Sequence, residues 1–189
     1  MESMSKRTPL YWINPRFRLN FPSFSVEWHL CDTCDLELNE LHDKERLVYG
    51  YGTNCIHAIV REGNSGLDFL YTNQTKFENI RIQKWLRETI RAHIVLRAKK
   101  VLPQRLHELE SLHNLYANGI VVNPIIVIFP NRLMDVVILH EMAHLKYHHH
   151  RKSFWNYLSM LIGEDAEQQN KIQDMVVSKY WDFYMFLMK

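Results

Sequence analysis

His140, Glu141 and His144 stand in the order H-E-x-x-H, within the stretch HEMAHLKYHHHRKSFW that runs from His140 to Trp155. On a helix, residues four apart differ by about 40° around the axis and lie one turn along it. Two imidazoles at that spacing can reach one ion. Zinc binds His nitrogen at about 2.0–2.1 Å and favours roughly tetrahedral ligands. Glu141, beside the first imidazole, can reach a water on the metal and act as general base and then proton shuttle. The metal would bring the pKa of that water from 15.7 towards ~7. The bare motif also arises by chance in ordinary helices. Its surroundings argue for a site: VVILHEMAHL is apolar, and a Glu and two His buried there are costly without a partner, which a metal supplies.

A catalytic zinc site usually has three protein ligands and one open position. Three candidates could complete this one. His150 lies ten residues after His140, so the helix must end soon after His144 and the chain must turn back. An unbroken helix would carry it ~15 Å away. Glu164 follows His144 after nineteen intervening residues, near the start of a predicted helix, a spacing that resembles thermolysin-like zincins. His148 or His149 is the third candidate.

The chain has 189 residues, 47% of them hydrophobic, which suits one domain with a substantial core. A net charge of +2 does not mark a nucleic-acid binder. No apolar run is long enough for a signal peptide or a membrane span, so a cytoplasmic protein without membrane attachment is expected. Three cysteines, an odd number, argue against a disulfide framework.

Several elements must position the motif. Residues 1–25 read as an irregular N-terminal arm, and 26–189 as a single domain. CIHAIV and LDFLY alternate on either side of GNSG (Gly63–Gly66), a hairpin signature, with Ile56, Ala58 and Val60 on one face and Leu67, Phe69 and Tyr71 on another. Thr75 and Glu78 have capping-box spacing and predict a helix start near Thr75. Ile82, Trp85, Leu86, Thr89, Ile90, His93 and Ile94 keep to one face, and Pro103 predicts a break or a kink. IVV and IIVIF read as short strands on either side of Asn123-Pro124. Asn131 is a candidate N-cap for the motif helix. Ser153–Ile162 reads as a helix closed at Gly163. Asp165 and Gln168 open a last one, with Met175, Val176, Tyr180, Phe183 and Leu187 as its apolar stripe.

HEMAHL, His150 and Phe154-Trp155 resemble the metal-binding segment of YgjP-like zinc metallopeptidases. Members carry H-E-[LM]-[AC]-H-L, a His ten residues after the first, and Phe-Trp shortly beyond. The lead-in VNPIIVIFPNRLMDVVILHE is similar to the family's LNW…PPEVIDYVVxHE, with Asn123, Pro130, Asp135 and His140 in register. WLR…LPQRLHELESLHNL, from Trp85 to Leu115, resembles the helical segment upstream. The likeness spans roughly residues 54–160. It implies His150 as third ligand, beside His140 and His144, with Glu141 as general base. Two departures stand out. NLYANGIV occupies the place of the family's Arg-Trp-Gly-Ser-Cys stretch, and Arg151 stands where Ser usually follows the third His. Substrate preference therefore does not carry over.

Other features have plainer readings. Cys31 and Cys34, with His29, Cys55 and His57 near by, make a lone C-x-x-C, which is a weak zinc signal. Arg81, Lys84, Arg87, Arg91, Lys99 and Lys100 give a basic helix face, read first as a solvated face. The sharper reading is attraction of an anionic substrate, and the family has been linked to nucleotide pyrophosphate hydrolysis. His148, His149, Arg151 and Lys152 would then help hold phosphates. The aromatic residues Trp155, Tyr157, Tyr180, Trp181 and Phe183 read as core.

The sequence thus predicts an α+β fold, with a small antiparallel sheet packed against a helical layer and a zincin-like active-site helix. It predicts a hydrolase using one Zn2+, most simply a metallopeptidase acting on a peptide or protein. The alternatives are a nucleotide pyrophosphohydrolase on the same site and a non-catalytic module stapled by the metal.

Overall fold

The computed structural model describes residues 13–16, 19–21, 24–32, 49–51, 58–62 and 66–188. They form an α+β fold with the order β1 (Leu19–Phe21), β2 (Phe24–Leu30), β3 (Tyr49–Tyr51), β4 (Ala58–Glu62), β5 (Gly66–Tyr71), α1 (Ile80–His113), a 3-10 segment (Pro124–Ile128), α2 (Asn131–Ala143), α3 (Lys152–Ile162) and α4 (Ala166–Met188). No helix among them is long and apolar enough to cross a membrane. Two compact units divide the chain. The first comprises Met1–Asn20, Phe24–Arg91 and Met185–Lys189, and the second Phe21–Ser23 and Ala92–Tyr184.

The strands of the first unit belong to a sheet ordered β1-β2-β5-β4-β3. The expected hairpin is present: β4 and β5 pair antiparallel, with Ala58 opposite Tyr71 and Glu62 opposite Leu67. Ile56 lies outside the described residues. The sheet is mixed, however, not antiparallel throughout. β2 runs parallel to β5 from Ser25–Gly66 to Leu30–Tyr71. Parallel neighbours need a long connection, and residues 31–65 supply one. At the start of this pair, a Cβ on Gly66 would stand 1.8 Å from the Ser25 carbonyl oxygen, so only glycine fits.

Aromatic rings join the sheet to the start of α1. Trp28 stacks on Phe69 at 4.8 Å, and Phe69 meets the edge of Trp85 at 5.9 Å. Ile82, Leu86, Ile90, Ile94 and Ala98, each four residues apart, form the buried stripe of the helix. The buried Gln83 clips Ile13 in both directions: its amide donates to the Ile13 carbonyl at 2.6 Å, and its Oε1 accepts from the Ile13 N–H at 3.0 Å.

The helix start expected near Thr75 lies at Ile80 instead. Asn79 Oδ1 accepts from the Arg81 N–H at 2.8 Å, whereas Thr75 Oγ1 is turned back to the Thr72 N–H. α1 also continues through Pro103. Proline removes the bond to the carbonyl four residues back, and Lys99 and Pro103 both face solvent, where water can replace it. The helix closes at Asn114, whose φ of 50° is left-handed, and Leu115 N–H returns to the Glu110 carbonyl.

In the second unit the predicted strand IIVIF is a 3-10 segment. Asn123 Oδ1 caps the Ile125 N–H at 3.1 Å and Pro124 fixes the first turn. Ile125, Ile126, Val127 and Ile128 are all buried, and α2 packs on them and on α3. Pro130, not Asn131, is the cap of α2, with its carbonyl accepting from Leu133 and Met134. α3 closes at Gly163 in the left-handed region (φ 74°), as expected. Asp165 Oδ1 caps the Gln168 N–H at the start of α4. On α4, Phe183 and Leu187 are buried, but Met175 is 77% exposed and leaves the predicted stripe.

Candidate metal centre

Met134, Ile138 and Met142, together with Leu139 and Ala143, anchor α2 in the core of the second unit. That leaves His140 and Glu141 half-buried at the end of the helix. His144 is the helix C-cap, and the Lys146 and Tyr147 N–H groups both bond back to the Ala143 carbonyl. These bonds turn the chain at once, as a third ligand at His150 requires. His150 precedes Arg151, the N-cap of α3.

The turn brings His140, His144 and His150 together. One ring nitrogen from each lies within 4.8 Å of the others. His140 Nε2 and His150 Nε2 are 3.0 Å apart. Tetrahedral ligands at ~2.05 Å from zinc stand roughly 3.3 Å from one another, so the set is close to coordination spacing. His144 Nδ1 is 2.9 Å from the Tyr147 carbonyl oxygen. A carbonyl only accepts, so Nδ1 carries the proton and Nε2 keeps its lone pair for an ion. Burial, aided by the neighbouring His144 and His150, pushes the His140 pKa down to about 4. A neutral imidazole is the form that binds metal. The three residues therefore fit a single borderline divalent ion, such as Zn, Ni, Co or Fe.

Phe154 supports the group from within. It is fully buried, and its ring centroid lies 4.9 Å from His140, 4.7 Å from His144 and 4.7 Å from His150. Sequence reasoning placed Phe154 in the likeness but did not foresee that it touches all three imidazoles. The only signal was its spacing four residues after His150. The Tyr147 carbonyl, being main chain, gave no signal at all.

The other candidates are placed elsewhere. Glu164 accepts from Arg132 and Gln169 and is not part of the cluster. His148 and His149 are exposed, and His149 Nδ1 accepts from the Arg151 N–H. No hydrogen bond or ion pair among the described residues holds the Glu141 carboxylate. Asp135, near the start of α2, takes a two-point contact from Arg105, Nε to Oδ1 at 2.6 Å and Nη2 to Oδ2 at 2.7 Å. Those bonds and a further one to Glu108 raise the Arg105 pKa.

On the basic face of α1, Lys84 pairs with Glu88, and the Arg87 guanidinium lies over Phe186. Arg81, Arg91, Lys99 and Lys100 are exposed. Cys34, Cys55 and His57 of the possible second zinc site lie outside the described residues. Glu27, His29 and Asp68 form another close group on β2 and β5 that the sequence reading did not single out. It is largely exposed, and Arg61 shares Asp68 at 3.6 Å.

No curated protein and no solved structure matches the sequence. The family model described as YgjP-like, metallopeptidase domain, matches residues 35–174, a wider span than the likeness read from the motifs. That span holds the three convergent histidines and most of the elements around them, and the chain belongs to the YgjP-like metallopeptidase family.

Proposed function

We propose that this chain is a zinc-dependent peptidase in which His140, His144 and His150 hold one ion and Glu141 is the general base. The observation that carries this reading is the convergence of three ring nitrogens within 4.8 Å, beside a glutamate at the motif position. The bound metal would supply an acidified water and polarise the scissile carbonyl. Glu141, one residue after His140 on α2, would take the proton from that water and pass it to the leaving amine. The Tyr147 carbonyl holds His144 in the metal-binding tautomer. Phe154 excludes water from the inner side of the rings.

Glu141→Gln tests the reading. Zinc should remain at one ion per chain by elemental analysis, while casein cleavage should fall by at least about a hundredfold, the usual scale of lost general-base catalysis. Unchanged cleavage would remove Glu141 from the mechanism. Wild-type protein that retains zinc and cleaves no peptide would favour a structural role for the metal.

A second reading has one observation in its favour. Lys146, Arg151 and Lys152 are exposed around His150, and no carboxylate occurs in the sequence between Glu141 and Glu164. Such a rim would suit phosphates. Assaying nucleoside triphosphates beside casein separates hydrolysis of a pyrophosphate from that of a peptide.

A further inference from the structure

His140 and His144 are set by helix α2, but His150 is exposed and belongs to no helix. Something other than burial must hold it. The Trp155 indole Nε1–H donates to the His150 carbonyl at 3.0 Å. The same ring lies 5.8 Å from the His150 ring with a tilt of 35°, and 6.2 Å from His140. It is braced edge-on against the buried Phe154 at 5.2 Å. One side chain thus fixes the main chain at residue 150 and limits the swing of its imidazole.

We propose that Trp155 is a positioning residue for the third ligand. This rests on the metal-centre reading above. Loss of a partner bonded to a ligand's own ring typically costs about 10–100-fold in metal affinity. Trp155 bonds the main chain of the ligand instead, so the lower end of that range is expected. The indole hydrogen bond goes to His150, while the ring also meets Phe154 and, more distantly, His140, so removing the donor alone should act through His150.

Cobalt(II) provides the probe, read by competition titration and by visible absorption. Trp155→Phe keeps an aromatic ring and removes the donor. Its cobalt affinity should fall on the order of 10-fold. Its absorption should move towards that of His150→Ala. In a His150→Ala background, Trp155→Phe should cause no further loss. Wild-type affinity and spectrum in Trp155→Phe would overturn the proposal, and so would an equal loss in both backgrounds, which marks a general packing role. A wild-type chain that takes up no cobalt would instead refute the metal centre itself, and the proposal with it.

A measurement on the unaltered side chain covers the case in which Trp155→Phe does not fold. The Trp155 indole N–H resonance should move when zinc is added to wild type and stay put in His150→Ala. A resonance that ignores zinc in wild type, or responds equally without His150, would overturn the assignment.

Discussion

A ring nitrogen is a ligand only if it points at the ion with its lone pair free. In the His144 ring the Tyr147 carbonyl accepts the hydrogen bond from Nδ1–H and leaves the Nε2 lone pair available, and the Trp155 indole bonds the His150 carbonyl. Glu164 is engaged by Arg132 and Gln169 instead. Elemental analysis should therefore show less than one metal per chain in His150→Ala, which keeps two imidazoles and binds more weakly, and a full complement in Glu164→Ala. The opposite pattern would transfer the third position to the glutamate. Phe154 offers a second test at this scale. Truncating a fully buried phenylalanine usually costs about 3–5 kcal/mol. Phe154→Ala should lose stability of that order in urea unfolding and weaken metal binding as well, because its ring contacts all three imidazoles. The convergence of His140, His144 and His150 was legible from spacing and likeness. Phe154's shared contact was not, since a buried aromatic in a sequence looks the same whatever it touches.

At the scale of elements, α2 is held by its apolar stripe and by the Arg105–Asp135 pair that ties it to α1. Both side chains keep some solvent contact, so the charge-assisted pair is discounted to about 1–2 kcal/mol. Asp135→Asn should lower unfolding stability by that amount while leaving metal stoichiometry unchanged. Loss of metal in this variant would mean that the pair also sets the register of the motif helix. The hairpin and the last two helices were readable because their periodicity and turn residues agree. IIVIF was misread because a run of buried apolar residues has no period to tell a strand from a tight helix. The Asn123 cap and Pro124 decide the matter locally. The Thr75 cap failed for a related reason, since its hydroxyl had a nearer amide at Thr72. The parallel pairing of β2 with β5 depends on residues distant in sequence, and nothing local to either strand announces it.

For the whole molecule, a ligand that binds only the folded chain adds RT ln(1 + [L]/Kd), about 2.7 kcal/mol at a hundredfold excess over Kd. For a chain of 189 residues that corresponds to a rise of roughly 5–10 °C in melting temperature. Zinc should produce such a rise in wild type, a chelator should reverse it, and His140→Ala should show neither. A melting curve indifferent to zinc would count against a site formed only on folding. The seam between β2 and β5 adds a different handle. Even a methyl group at Gly66 would collide with the Ser25 backbone, so the smallest possible side chain would wedge apart two strands brought together from remote parts of the chain. Gly66→Ala is thus a lever on the sheet that leaves all three imidazoles chemically intact, and its unfolding curve should shift to lower stability.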